Sequence, residues 1–155
     1  MPRFEITDLR STPYAHVTRT AQMAEISKVM AASFETLGKA FADAGAVFVG
    51  PPLAHYTSYD QSSTTFEVGF PARAEDLARL KAAGLEIGQT QSGKVMRGVH
   101  QGPYDSVTST YSAMQDEMKA HGYAPASHMW EVYMSPPETP PADIRTEVIW
   151  PIIKL

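Results

Sequence analysis

The feature that most restricts the fold of this chain is that its sequence repeats itself. Phe66-Glu67-Val68-Gly69-Phe70-Pro71 is echoed by Thr146-Glu147-Val148-Ile149-Trp150-Pro151, each a short apolar and aromatic run stopped by proline. Gly45 and Gly122 each close a helical pattern, and Tyr56 and Tyr133 follow them by the same 11 residues. The two glutamates lie 80 residues apart and the Gly and Tyr pairs 77, so a small insertion in the second copy absorbs the difference.

The helical patterns match as well. Ile26, Val29, Met30, Phe34, Leu37 and Phe41 recur at steps of three and four, as do Val107, Tyr111, Met114 and Met118. Both sets read as core-facing stripes, with Met114 and Met118 as core filler. Asp105 is the expected N-cap of the second helix and Gly122 its left-handed terminator. Strand-like runs precede each helix (Tyr14–Arg19, Lys94–His100), and two follow each (Leu53–Tyr59 with Thr64–Phe70, His128–Met134 with Arg145–Ile152).

The expected fold is therefore α+β, a tandem β-α-β-β repeat forming a largely antiparallel sheet with the helices on one face. Repeat one covers about residues 1–71 and repeat two about 93–155 of a single domain. The stretch of about 72–92 between them reads as a linker, with a short helix near Ala74–Ala83. Ser135–Ala142, holding Pro136, Pro137, Pro140 and Pro141, must be a loop, because proline at that density cannot sit inside a strand ladder.

Composition narrows the function classes. With 155 residues, 43% of them hydrophobic and 19% charged, the chain is long and apolar enough for a real core. Thirteen basic residues against seventeen acidic ones, scattered without a stripe, argue against nucleic acid as a direct partner. The absence of cysteine excludes disulfides and thiolate chemistry. Met1-Pro2-Arg3-Phe4-Glu5 lacks the apolar run of a signal peptide and no segment is apolar enough to span a bilayer, so a cytoplasmic location is expected. Glycine-rich phosphate fingerprints and a nucleophile elbow are absent. The five histidines show no metal-ligand spacing, so neither a metal nor a cofactor is expected. His55, His121 and His128 read as turn and strand-end residues.

What remains is a carboxylate among aromatics. In Met129-Trp130-Glu131-Val132-Tyr133-Met134, alternation sends Trp130, Val132 and Met134 to one face and Glu131 with Tyr133 to the other. The apolar set suits the helix-covered face, which would leave Glu131 on the opposite one. There it is either a ligand-pairing carboxylate in a curved pocket or an ordinary residue of a solvated face. Tyr104 is either a staple on the first helical turn or a pocket wall, and Trp150 either core or wall.

His100-Gln101-Gly102-Pro103-Tyr104-Asp105, then Trp130-Glu131-Val132-Tyr133, the proline-rich loop and Thr146 to Ile152 together resemble the GyrI-like, or AraC effector-binding, family over nearly the whole chain. The resemblance implies a ligand cleft between the two halves, in which aromatics around a central glutamate grip lipophilic, often cationic compounds. Glu131 matches that glutamate and Tyr133 follows it as in the family motif, while Tyr104, Tyr56 and Trp150 match the cleft wall more loosely. Because the chain opens directly on the first repeat, it is expected to act as a stand-alone binder without a helix-turn-helix of its own. The resemblance also carries two other readings. One is a cofactor-free hydrolase of strained cyclopropane compounds, with Glu131 as general base and Tyr133 as hydrogen-bond donor. The other is a gyrase-modulating interaction protein.

Overall fold

Alternating apolar residues at both ends of each helix stripe organise the chain into strands on either side of α-helices. The computed structural model describes residues 4–59, 62–136 and 138–155. Met1, Pro2, Arg3 and Pro137, used above to read the N-terminus and the proline loop, lie outside the described residues. The described strands and helices are β1 (Phe4–Leu9), β2 (Pro13–Gln22), α1 (Ile26–Ala44), β3 (Leu53–Tyr59), β4 (Ser63–Pro71), α2 (Leu77–Ala82), β5 (Glu86–Gln89), β6 (Gly93–Gln101), α3 (Val107–Ala120), β7 (Tyr123–Pro125), β8 (Met129–Tyr133) and β9 (Arg145–Lys154). The fold is α+β, and its strands pair antiparallel. No described helix is long and apolar enough to cross a membrane.

The chain forms two compact units, residues 10–91 and residues 4–9 with 92–155. Within the first, the strand order is β5-β2-β4-β3; within the second it is β1-β6-β9-β8, with β7 on the far end of β9. The orders correspond strand for strand, with an exchange of first strands. β1 begins the chain yet pairs with β6, Phe4 opposite Gly98. β5 precedes β6 yet pairs with β2, Ala15 opposite Ile87. Residues 72–92 thus hold α2 and β5, both packed into the first unit.

In the first unit α1 lays Leu37, Ala40 and Phe41 on Ala15, Val17, Phe66 and Val68. Gly45, at φ +62°, ends that helix in the left-handed conformation that side chains with a Cβ avoid. In the second unit α3 lays Val107, Met114 and Met118 on Met96, Val148 and Trp150, with Phe4, Ile6 and Met129 at the margin. Gly98 is glycine because the Phe4 ring lies across it: a Cβ there would come within 2.5 Å of that ring. Asp105 does not cap α3. Ser106 N–H donates to the Pro103 carbonyl at 3.1 Å, which closes a 3-10 turn over Tyr104–Ser106, and the α-helix starts only after it.

On the sheet face of the first unit away from α1, polar groups interlock. Glu67 accepts from the Tyr14 hydroxyl and from His55 Nδ1, the latter at 3.0 Å. His16 stacks on Tyr14 with ring centroids 4.6 Å apart, and its Nδ1 lies 3.4 Å from Glu86 Oε2 without making a hydrogen bond. Thr18 donates to the same Glu86 oxygen at 2.5 Å. Hydrogen bonds from His55 and Tyr14 outweigh burial and pull the Glu67 carboxyl down to about 2. Burial, then the hydrogen bond to Glu67, pushes the Tyr14 phenol well above its ordinary value. Burial lowers His16.

A carboxyl held down in the folded state stabilises above its unfolded value and loses that contribution as pH falls. From Glu67, stability is expected to drop between the ordinary value of 4.5 and about 2, by about 1–2 kcal/mol once solvent screening of this part-exposed carboxyl is counted. His16, kept neutral by burial, adds a loss that begins below its ordinary value of 6.5. Urea unfolding at stepped pH checks this: Glu67→Gln should flatten the decline below pH 4.5, and an unaltered slope would contradict the assignment.

Candidate functional site

The second unit places one carboxylate where a core side chain would ordinarily sit. In β8, Glu131 stands opposite Val148, which lies in the core beneath α3. Paired residues on antiparallel strands share a face, so Met129, Glu131 and Tyr133 face α3 while Trp130 and Val132 point away. This reverses the expected assignment of faces. Alternation was read correctly, but the register on β9 decides which set the helix covers, and Val148 draws Glu131 under it.

Glu131 is fully buried, at 0% exposure. A carboxylate removed from water needs donors, and tyrosine hydroxyls supply them. Tyr104 and Tyr133 donate to Oε1, Tyr133 at 3.0 Å, and Tyr111 donates to Oε2. The three phenols come from three different elements: the 3-10 turn before α3, the first half of α3, and β8 itself. The Tyr104 and Tyr133 rings lie 6.1 Å apart, and the Tyr111 ring meets Trp150 edge-on at 5.8 Å. Trp150 is core on one side and a neighbour of Tyr111 on the other, and its indole N–H donates to the Ala126 carbonyl at 3.0 Å. Tyr104 is the most open member, 37% exposed.

The residues that sequence pointed to are therefore distributed unevenly. Glu131, Tyr133 and Tyr104 share hydrogen bonds, with Trp150 one ring further out. Tyr56 belongs to the other unit, where it packs on the α1 core with its ring 5.7 Å from Phe66. Tyr111 was read only as part of a helix stripe. The available signal was chemical: among Val107, Met114 and Met118 it alone carries a hydroxyl that a core must satisfy. Among the described residues no three metal-ligating side chains converge. The arrangement sets a buried carboxyl group among phenol hydroxyls and aromatic rings.

The family of the GyrI-like small molecule binding domain matches residues 2–153. The chain belongs to that family. As a GyrI-like domain, it is built to bind a small molecule. Its fold is similar to that of the EcmrR C-terminal domain, at 14% identity and TM-score 0.79, covering 100% of this chain and 99% of that one. It is also similar to a hydrolase from Listeria innocua (16% identity, TM-score 0.66, covering 97% and 92%). A third similar structure is SAV2435 bound to tetraphenylphosphonium (13% identity, TM-score 0.69, covering 97% and 94%). At such identities the likeness is one of fold. No curated protein sequence matches the chain.

A hydrogen bond to a buried charge is worth about 1.5–3 kcal/mol. Tyr111→Phe should therefore destabilise the protein by an amount in that range. Combined with Glu131→Gln, the two substitutions should be non-additive by at least about 1 kcal/mol in a double-mutant cycle read by chemical denaturation. Strict additivity would show that the phenol does not support the carboxylate.

Proposed function

We propose that this GyrI-like domain captures lipophilic organic cations, with Glu131 as the counter-charge and Tyr104, Tyr133, Tyr111 and Trp150 as aromatic contacts. The observation that carries the reading is the fully buried Glu131 carboxylate held by phenol hydroxyls. Such a group lowers the energy of a cation more than any solvated carboxylate does. Two unit charges 4 Å apart attract by about 4 kcal/mol at an effective dielectric of 20. An aromatic face adds about 0.5–2 kcal/mol per contact. The tetraphenylphosphonium in the similar SAV2435 structure supports the same ligand class. Tyr56 is retained as a candidate wall residue on the strength of its match to the family pattern.

The likeness to a protein described as a hydrolase makes catalysis the second reading, with Glu131 as general base and Tyr133 as donor. Binding ranks first because tyrosine hydroxyls occupy both Glu131 oxygens that a base would present to water.

Tetraphenylphosphonium and an uncharged analogue of the same shape separate these readings in a thermal-shift titration. A ligand at a hundredfold excess over its Kd stabilises by about 2.7 kcal/mol. The cation should raise the melting temperature of the wild type and lose most of that effect in Glu131→Gln, while the neutral analogue changes little. Equal losses for both compounds would remove Glu131 from the role of counter-charge.

A further inference from the structure

His100 makes no hydrogen bond to Glu131 or its three phenols, yet it is buried, and both contacts of its Nε2 fall on residues that flank Tyr104. It is the penultimate residue of β6, on the same face as Met96 and Gly98, and only 6% exposed. Its Nε2 lies 3.1 Å from the Pro103 carbonyl oxygen and 3.1 Å from Ser106 Oγ. Its Nδ1 lies 2.6 Å from Thr110 Oγ1, itself buried in the first half of α3.

The chemistry of these partners places a hydrogen on Nε2. A carbonyl can only accept, and Ser106 Oγ already gives its proton to the same Pro103 oxygen at 2.8 Å. Nε2 must therefore carry the hydrogen. Nδ1 shares its hydrogen bond with Thr110 Oγ1, so both ring nitrogens are engaged. Pro103 and Ser106 bracket the 3-10 turn Tyr104–Ser106, so the ring ties the residue before Tyr104 and the residue two after it to β6 and α3 at once. Gly102 completes the clamp. Its φ of +123° lets the chain reverse there, and its N–H donates to the Ile144 carbonyl at 2.8 Å.

We propose that His100 is a positioning residue: it locks the Pro103–Ser106 turn so that the Tyr104 hydroxyl stays on Glu131, and it thereby sets the affinity of the cation site. The link to affinity rests on the function proposed above, whereas the lock itself does not. A substituent that removes the Nε2 donor frees the turn, and Tyr104, the most open of the three phenols, is the one that leaves.

The test uses the full chain with tyrosines labelled at 13Cζ, the carbon that reports the state of each phenol oxygen, and Tyr104→Phe to assign its resonance. In His100→Leu, of similar bulk but without donors, the Tyr104 resonance should move to the position of a solvated phenol while those of Tyr111 and Tyr133 stay in place. His100→Gln, whose amide nitrogen reaches the place of Nε2, should restore the wild-type spectrum. Tetraphenylphosphonium should bind His100→Leu about fivefold more weakly, the worth of about one hydrogen bond, and His100→Gln within twofold of wild type. In a Tyr104→Phe background, His100→Leu should cause no further loss. A Tyr104 resonance that does not move in His100→Leu overturns the lock, whatever the cation does. The expected spectra with no tetraphenylphosphonium binding by the wild type would overturn the proposed function and leave the lock standing. If His100→Leu fails to fold, His100→Met decides: it is of similar bulk and likewise lacks the Nε2 donor, and an unmoved Tyr104 resonance there overturns the lock equally.

Discussion

A carboxylate taken out of water costs several kcal/mol unless its oxygens are met by donors, and in the second unit that cost organises everything around Glu131. Fold elements that would otherwise be interchangeable acquire fixed positions. α3 must bring Tyr111 to Oε2 while Met114 and Met118 fill the core beside it. The turn before it must begin early enough for Tyr104 to reach Oε1. β8 must pair with β9 in the register that sets Glu131 against Val148. A slip of one residue would place the Trp130 indole under the helix and turn the carboxylate away from all three phenols. The buried charge is thus a weak source of stability and a strong source of specificity in the local packing.

The two units apply the same strand order to different chemistry. On the sheet face away from the helix, Arg97 of β6 meets Glu147 at 2.8 Å, with Glu5 of β1 opposite it in the register. At the corresponding places in the other unit stand His16, Glu67 and Glu86, the last opposite His16. A guanidinium keeps its charge at any ordinary pH, whereas an imidazole changes charge near neutrality. One sheet therefore carries a guanidinium–carboxylate pair where the other gathers Tyr14, His16 and His55 around Glu67. On the helix-covered side the contrast runs the other way. Ala54, at the place that matches Glu131, is fully buried and apolar, so the first unit has no carboxyl group at that place.

Much of this was legible in the residues and some was not, for identifiable reasons. Period-3.6 stripes marked α1 and α3, and β-branched and aromatic runs marked β2, β3, β4, β6, β8 and β9, because those patterns follow directly from burial on one face. The edge strands β1 and β5 were missed as partners. An edge strand is half-solvated and short, and its pairing across the chain leaves no local trace. The orientation of β8 was reversed because alternation separates two faces without saying which one the helix covers. Asp105 has the composition of a cap, but proline two residues earlier favours a 3-10 turn in its place. Tyr111 was hidden by its own stripe, since a hydroxyl on an apolar helix face announces a polar partner only when the partner is known.

The exchange of first strands bears on what a single repeat is by itself. Each unit is completed at its edge by a strand from outside its own repeat, β1 beside β6 and β5, from the stretch between the repeats, beside β2. A molecule made of one such repeat would leave the flank of its second strand open, with unpaired amides and carbonyls along it. A second copy could close that flank by lending its own first strand and receiving one in return, a symmetric trade between two chains. Joined in tandem, the repeats make that trade within one molecule. β1, the start of the chain, is thereby fixed to β6 by backbone hydrogen bonds, far along the sequence from the strands of its own repeat.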